Sequence, residues 1–377
     1  MPNLRTLRLQ ELARDTELVR QLLNGGERLL VERADAREAP AAIASLANTL
    51  GGWLLIPGLY GPQDVDLGRI LQDAVDPPPP ASATAVEVDG QTVGVVRVEA
   101  SSDTPHVTAD GAVLVRTHEG AGPADAAALR DLVDRGERGE ADARERQYGR
   151  TLIEEAMRTP EKIPGDAPIL DPDHYGHEAP LEFIVRATPV TVTEELRRRA
   201  LTEAAAQLAA AQAIPLLVDP DAVAHRVSTT VDGRAAGVYC SAERGEAPIF
   251  ADMAIDAGGV VAARLAERRQ RDGTVSTAGL IDEVLLPLLR TVSGSLDGLG
   301  ATGRALIGLE MRGAIDLMVE LTPDLTDVLR LEELIDEDRL VLDDELTLPA
   351  EGRGLQALAE RWARGLARAA GLPAWEP

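Results

Sequence analysis

A chain of 377 residues, 45 % of them hydrophobic, can bury the cores of two or three domains, which excludes wholesale disorder. Acidic side chains number 63 against 38 basic ones, and the net charge of -25 works against tight non-specific binding to nucleic-acid phosphate. The single cysteine, Cys240, excludes an intrachain disulfide, and no apolar run approaches the length of a membrane span. Aromatic residues make up only 2 %, so Ala, Val, Leu and Ile must fill the cores. The N-terminal residues, with Arg5, Arg8, Glu11 and Arg14, carry no signal-peptide core, and the expectation is a soluble, cytoplasmic protein. Lys162 is the only lysine, so nearly every cation is an arginine, the better bidentate ligand for phosphate and carboxylate. A high-GC genome accounts for that bias equally well and is the simpler reading.

In chain order, Thr6 to Leu23 reads as one or two helices, with Asp15 placed to cap Glu17 to Leu23 and Asn24-Gly25-Gly26 to end them. A short strand, Glu27 to Arg33, follows. Ala41, Ala42, Ile43, Leu46, Ala47 and Leu50 recur at helical spacing and predict one buried helix face. Gly51 can take the left-handed conformation that stops this helix, and Gly52 lets the chain turn into the apolar strand Trp53 to Ile56. Asn48 and Thr49, in the last turn, can serve neighbouring backbone or a partner group. Pro57 to Pro62 reads as a rigid loop, Asp64 to Val75 as a helix, and Pro77 to Pro80 as an extended spacer.

Ala83 to Val88 and Val93 to Ala100 form a hairpin pattern around Asp89-Gly90. Val113 to Val115 is a further strand, and Ala124 to Asp134 a helix. Residues 1–136 thus form an α+β domain with 20 acidic and 12 basic side chains, a net of -8. A charged helical connector (137–158) and a Pro- and Asp-rich loop (159–180) lead to a second α+β domain over 181–377. Antiparallel hairpins and long helices are expected there: the strand Leu181 to Ala187, a helix Thr193 to Ala211, hairpins at Asp232-Gly233 and Asp256 to Gly259, and a helix Ser276 to Val292. Strands Ala305 to Glu310 and Ile315 to Leu321 follow, then an acidic run from Asp324 to Glu345 and an amphipathic helix Leu355 to Ala370.

The stretch Ala47-Asn48-Thr49-Leu50-Gly51-Gly52-Trp53 resembles the Ala-Asn-Thr-x-Gly-Gly-aromatic signature of the Schlafen-type AlbA domain, a DNA-binding module also described as divergent AAA. Glu27 and Glu32-Arg33 match its paired-glutamate strand, and Asp103-Thr104-Pro105-His106 with Val115-Arg116 match its later strands, in the family's order over residues 7–136. The resemblance implies a mixed sheet with helices in the N-terminal domain. It also implies nucleic-acid contacts at Arg33, Asn48, Thr49 and Arg116, the arginines on phosphate and the amide and hydroxyl near backbone or base edges. Arg97, with Arg28, joins the candidates for a local basic surface.

Nuclease members of that family use two glutamates spaced as Glu27 and Glu32 are, plus an aspartate just after the Gly-Gly strand. Clustered carboxylates of this kind hold Mg²⁺ or Mn²⁺ against a phosphodiester and activate water. A five-residue separation does not place two side chains on one face of a regular strand or helix, so convergence needs a bulge or a turn. Pro57-Gly58-Leu59-Tyr60-Gly61 holds no acid where the third carboxylate belongs, and Asp64 and Asp66 come only later. The resemblance therefore implies a regulatory or defence protein that binds DNA or RNA without cutting it and needs no cofactor. Alternatives are a metal-dependent endoribonuclease using Glu27 and Glu32 with Mg²⁺ or Mn²⁺, and an assembly subunit whose nucleic-acid binding has decayed. The expected partners are nucleic acid, and another protein or a second copy, with no membrane.

Other constellations have plainer readings. Gly298-Leu299-Gly300-Ala301-Thr302-Gly303 is a literal G-x-G-x-x-G, but a helix precedes it and a strand follows, the reverse of a dinucleotide fingerprint. The loop Asp171 to Glu178 holds His174 and His177 with three acids, yet lacks the spacing of a structural zinc site. His118 and His225 have no sequence-local catalytic partner, and Cys240 reads as a small core residue. Arg361, Arg364 and Arg368 share helical spacing and can meet solvent, phosphate or the acidic Asp324 to Glu345 run.

Overall fold

A strand that is apolar at every position must be covered on both faces, and Trp53-Leu54-Leu55-Ile56 is such a strand. The computed structural model describes residues 4, 7–25, 30–59, 74–117, 120–148, 181–200, 202, 205, 207–208, 226–231, 235–244, 247–256, 258–267, 274–276, 280–312, 318–320, 328–330, 339–350 and 352–369. The chain has an α+β fold with several sheets, in two compact units. One unit comprises Met1–Ala143 with Pro189–Thr193 and Thr302–Arg304, and the other comprises Arg144–Thr188, Glu194–Ala301 and Ala305–Pro377. Among the described residues no helix is long and apolar enough to cross a membrane.

The first unit begins with helices α1 (Leu9–Arg14) and α2 (Thr16–Gly25). Asp15 caps α2 as expected, its Oδ1 accepting the Leu18 N–H at 2.9 Å. Strand β1 (Val31–Arg33), helix α3 (Ala39–Ala47) and strand β2 (Gly52–Leu59) follow, then β3 (Val75–Asp76), β4 (Ala81–Val88) and β5 (Gln91–Val98). A four-stranded sheet has the order β1-β2-β5-β4, with β1 parallel to β2 and the other pairs antiparallel, so it is mixed. Trp53 and Leu55 join Leu12, Leu18, Val19 and Leu22 of α1 and α2 in one core cluster. Leu54 and Ile56 join Ala42, Ile43, Leu46 and Ala47 of α3 in another on the opposite face. The β4–β5 turn falls at Asp89-Gly90, both at positive φ (52° and 78°), the geometry of a two-residue hairpin.

Several expectations are corrected here. Strand β2 continues through Pro57 to Leu59, past the expected start of the loop, because a register shift between Pro57 and Leu59 lets the ladder pass a residue without an N–H. Helix α3 stops at Ala47, so Leu50 lies in the turn beyond it and is exposed rather than on a buried face. The helix is instead buried almost all round, at Ala39 and Ala42 to Ala47, because it packs on β2 and also against later strands. Val75 belongs to β3, antiparallel to β6 (Val107–Thr108); Ala74 before it is helical, and residues 64–73 of the expected helix lie outside the described residues. Residues 26–29, Glu27 among them, also lie outside the described residues; of the rest of the expected first strand, Leu30 is in a turn and only Val31 to Arg33 is strand.

Strands β7 (Leu114–Thr117) and β8 (Gly120–Pro123) pair antiparallel. Helix α4 (Ala126–Tyr148) is continuous, merging the expected helix with the start of the charged connector. Asp125 caps it, accepting the Ala127 and Ala128 N–H groups at 3.0 and 2.8 Å.

In the second unit, strands β9 (Leu181–Pro189), β10 (Arg226–Val231), β11 (Ala235–Arg244), β12 (Ala247–Asp256), β13 (Val261–Glu267), β15 (Gly303–Arg312) and β18 (Arg339–Leu348) build a seven-stranded sheet. Its order is β10-β11-β12-β13-β9-β15-β18, and the expected hairpins are its antiparallel pairs β10–β11 and β12–β13. A small sheet joins β14 (Thr274–Ser276), β16 (Met318–Glu320) and β17 (Val328–Arg330). Ser276 therefore ends a strand and does not start the helix that follows. That helix comprises a π-helical turn, Leu280–Leu285, continued by α6 (Leu286–Gly298), with Leu280, Ile281, Val284, Leu285, Leu288 and Leu289 buried as predicted. Helix α5 (Glu194–Ala200) and the amphipathic α7 (Gly352–Ala369) complete the described elements.

Candidate functional site

The signature Ala47 to Trp53 is held by backbone geometry first. Asn48, Thr49 and Gly51 donate their N–H groups to Ala44, Leu46 and Leu46 at 2.9, 3.1 and 2.8 Å, closing the end of α3. Gly51 sits at φ 68°, and a Cβ there would lie 2.6 Å from the Val98 carbonyl oxygen. Gly52, at φ 152°, would drive a Cβ into the Leu30 carbonyl oxygen. Both glycines are thus required by conformation and by the close approach of neighbouring strands. Trp53 then enters the sheet, its Nε1 donating to the Leu4 carbonyl at 2.9 Å.

Asn48 is 3 % exposed. Its Nδ2 donates to the carbonyls of His106 and Leu114, both at 2.9 Å, and its Oδ1 accepts the His106 N–H at 2.8 Å. The Thr49 hydroxyl donates to the Ser45 carbonyl at 2.8 Å and accepts the Arg116 N–H at 2.9 Å. Arg116, whose side chain is 1 % exposed, is ion-paired with Glu32, 24 % exposed. Burial lowers the Arg116 pKa. The structure therefore joins Glu32, Asn48, Thr49 and Arg116 in one network, tying the end of α3 to β1 and β7.

Three further residues complete it. Arg135 of α4 donates to the Asn48 carbonyl at 2.7 Å and to Thr104 Oγ1 at 3.3 Å, and burial lowers its pKa. The Thr104 hydroxyl donates to the Leu132 carbonyl at 2.7 Å. His106 is fully buried, and its Nδ1 lies 2.6 Å from the Pro77 carbonyl, which requires the proton on Nδ1. Its Nε2 has no hydrogen-bond partner among the described residues. Burial first, and Arg135 after it, push the His106 pKa down to about 4, against the Pro77 bond and the Asp76 charge. Thr104 and His106 lie in a matched motif and had a sequence signal, whereas Arg135 had none.

The remaining candidates stand apart. Strand register places Arg33 and Arg97 on the sheet face that carries Trp53 and Leu55, opposite Glu32. Arg97 lies over the Trp53 ring at 5.0 Å and pairs with Glu99 at 3.1 Å. Arg33 is exposed. Glu27, Asp64, Asp66, Arg28, His118, His225 and the 171–178 loop lie outside the described residues. Among the described residues no group of three or more His, Cys, Asp or Glu side chains is placed to hold a metal.

Elsewhere, Gly298 to Gly303 connects α6 to β15, a helix-to-strand turn as expected. Arg361, half exposed, pairs with Asp344 of the acidic run at 2.8 Å, an ordinary ion pair on a solvated helix face. Cys240 is paired through its backbone in β11 with Val227 and Ala251. No protein-family model matches this chain, and no curated protein matches it.

Proposed function

We propose that the first unit is a Schlafen-type AlbA-like module that associates with nucleic acid without cutting it. The Glu32–Arg116 ion pair carries this reading, because a carboxylate held by a buried guanidinium is a poor ligand for a divalent cation. Among the described residues, Arg33, exposed at the end of β1, is the phosphate-contacting candidate turned to solvent. A second reading, an assembly subunit with decayed nucleic-acid binding, is supported by the inward use of Asn48, Thr49 and Arg116 and by the charge of -25.

Fluorescence anisotropy with labelled DNA and RNA oligonucleotides separates the two. Association expects binding that weakens at least tenfold from about 50 to 200 mM salt, and several-fold in Arg33→Ala. Absence of binding at the lower salt selects the assembly reading. Incubation of the same oligonucleotides with Mn²⁺ tests the enzyme alternative: cleavage that disappears in Glu32→Ala overturns the non-catalytic assignment.

A further inference from the structure

We propose that the outer edge of β4 is a self-pairing surface, at which two copies of this chain join their four-stranded sheets about a two-fold axis at Thr84. The eight residues Ala81 to Val88 run in unbroken register with β5, from Ala81↔Val98 to Val88↔Gln91. A two-residue turn makes Val88 and Gln91 a hydrogen-bonded pair. The Glu99 N–H donating to the Pro80 carbonyl at 2.9 Å fixes the same parity at the other end. Even-numbered residues of β4 therefore bond to β5, while Ala81, Ala83, Ala85 and Glu87 point their N–H and C=O groups outward. Among the described residues no strand lies beyond β4 and no backbone partner meets these four residues.

Natural edge strands are guarded by brevity, proline, a bulge or charge. At the other edge of this sheet β1 has only three residues, and in the second unit the edge strand β18 carries Asp343-Asp344-Glu345. Strand β4, with the sequence Ala-Ser-Ala-Thr-Ala-Val-Glu-Val, has no proline, no bulge and one charge. Such an edge presents a template for another strand.

A second copy fits it in one register. With the axis at Thr84, Ala83 faces Ala85 of the other copy and Ala81 faces Glu87, so every outward N–H and C=O of the four residues is paired. Shifting the axis leaves at least one of them without a partner. The two Glu87 carboxylates then stand at opposite ends of the ladder, roughly 20 Å apart at about 3.4 Å per residue, so they do not oppose each other. The two Thr84 side chains meet as a non-hydrogen-bonded pair, where threonines associate favourably. The charge of -25 on each copy opposes association, so screening by salt strengthens the dimer, the reverse of its effect on nucleic-acid binding.

Light scattering on the full chain tests the assembly, with twice the chain mass expected and a larger dimer fraction at 0.5 M than at 0.1 M salt. In a Cys240→Ser background, Thr84→Cys should cross-link under mild oxidation, since facing non-hydrogen-bonded residues have Cα atoms about 4.5 Å apart. Ser82→Cys, offset along the ladder, should not. Ala83→Pro removes an outward N–H that the single copy does not use, and Ala85→Lys adds a charge at the axis. Each should halve the mass while leaving the thermal midpoint near that of the parent. A monomer at all concentrations overturns the proposal and leaves the edge to an extended segment of another protein. Equal cross-linking at residues 82 and 84, or an unchanged mass in both edge variants, overturns it as well.

Discussion

The side-chain amide of Asn48 meets the backbone of His106 in both directions, accepting its N–H at 2.8 Å and donating to its carbonyl at 2.9 Å. One side chain thereby does what a strand partner does for a residue in a ladder, and its remaining hydrogen reaches Leu114. The signature asparagine is a structural staple between the end of α3 and the 106–114 segment. Removing it strands two buried backbone groups of His106 and the part-buried Leu114 carbonyl. Asn48→Ala should cost about 2 to 4 kcal/mol, since each unsatisfied group carries a desolvation penalty. Asn48→Asp should cost at least as much, because a carboxylate cannot donate to two carbonyls. Urea unfolding measures both, and a midpoint equal to the parent's for Asn48→Ala would remove the staple.

The Glu32–Arg116 pair should behave as a coupled unit. Removing either partner leaves a charge facing a low-dielectric site, and Glu32→Gln or Arg116→Met should each cost about 1 to 3 kcal/mol, below the fully buried limit because Glu32 is 24 % exposed. The double variant should recover part of the loss. A thermodynamic cycle is expected to give a coupling energy above roughly 1 kcal/mol. Additive single costs would mean that the two side chains do not act on each other.

His106 predicts an acid limb of stability. Its pKa falls from 6.5 in the unfolded chain to about 4 in the fold, so the folded state disfavours the charged ring. The unfolded chain takes up the proton first as pH drops. The contribution is intact above pH 6.5 and is lost progressively from 6.5 to about 4, by an amount of order 3 kcal/mol. Protonation would also place a second cation beside Arg135. His106→Asn keeps a donor for the Pro77 carbonyl but does not titrate. Its stability relative to the parent should improve steadily from pH 7 to pH 4.5 in urea titrations, and parallel curves for the two proteins would refute the assignment.

Gly136 tests which of two opposed effects prevails. Alanine is favoured over glycine in a helix by about 1 kcal/mol, and composition alone would predict a gain. A Cβ on Gly136 would, however, overlap the Thr104 carbonyl oxygen, and overpacking against backbone costs about 1 to 3 kcal/mol. Gly136→Ala should therefore lower the thermal midpoint. Gly354 of α7 has nothing within 4 Å of such a Cβ, so Gly354→Ala should raise it slightly. Shifts of the same sign at the two sites would defeat the packing argument.

Local chemistry alone determined much of the first unit. The two positive-φ glycines after α3, the Asp89-Gly90 turn, the Asp15 cap and the continuous apolar run Trp53 to Ile56 each act through near neighbours or through burial on two faces, and all are where the residues imply. Less legible were the ends of elements. Pro57 stays in a strand because a distant partner, β5, supports it through a bulge, and Ser276 belongs to a sheet formed with β16.

For the candidate site, the sequence marked Asn48, Thr49, Glu32 and Arg116 as a set but left open whether they serve backbone or a partner. Tertiary structure decided for the backbone and for each other, at sequence separations of 58, 66 and 67 residues. Arg135 enters from α4, 87 residues beyond Asn48, with no local pattern to announce it. A hydrogen bond is directional and short, so its partners follow from where the chain returns. Composition and spacing along one element hold the signature's presence, whereas its inward orientation exists only once the sheet and three helices have been packed around it.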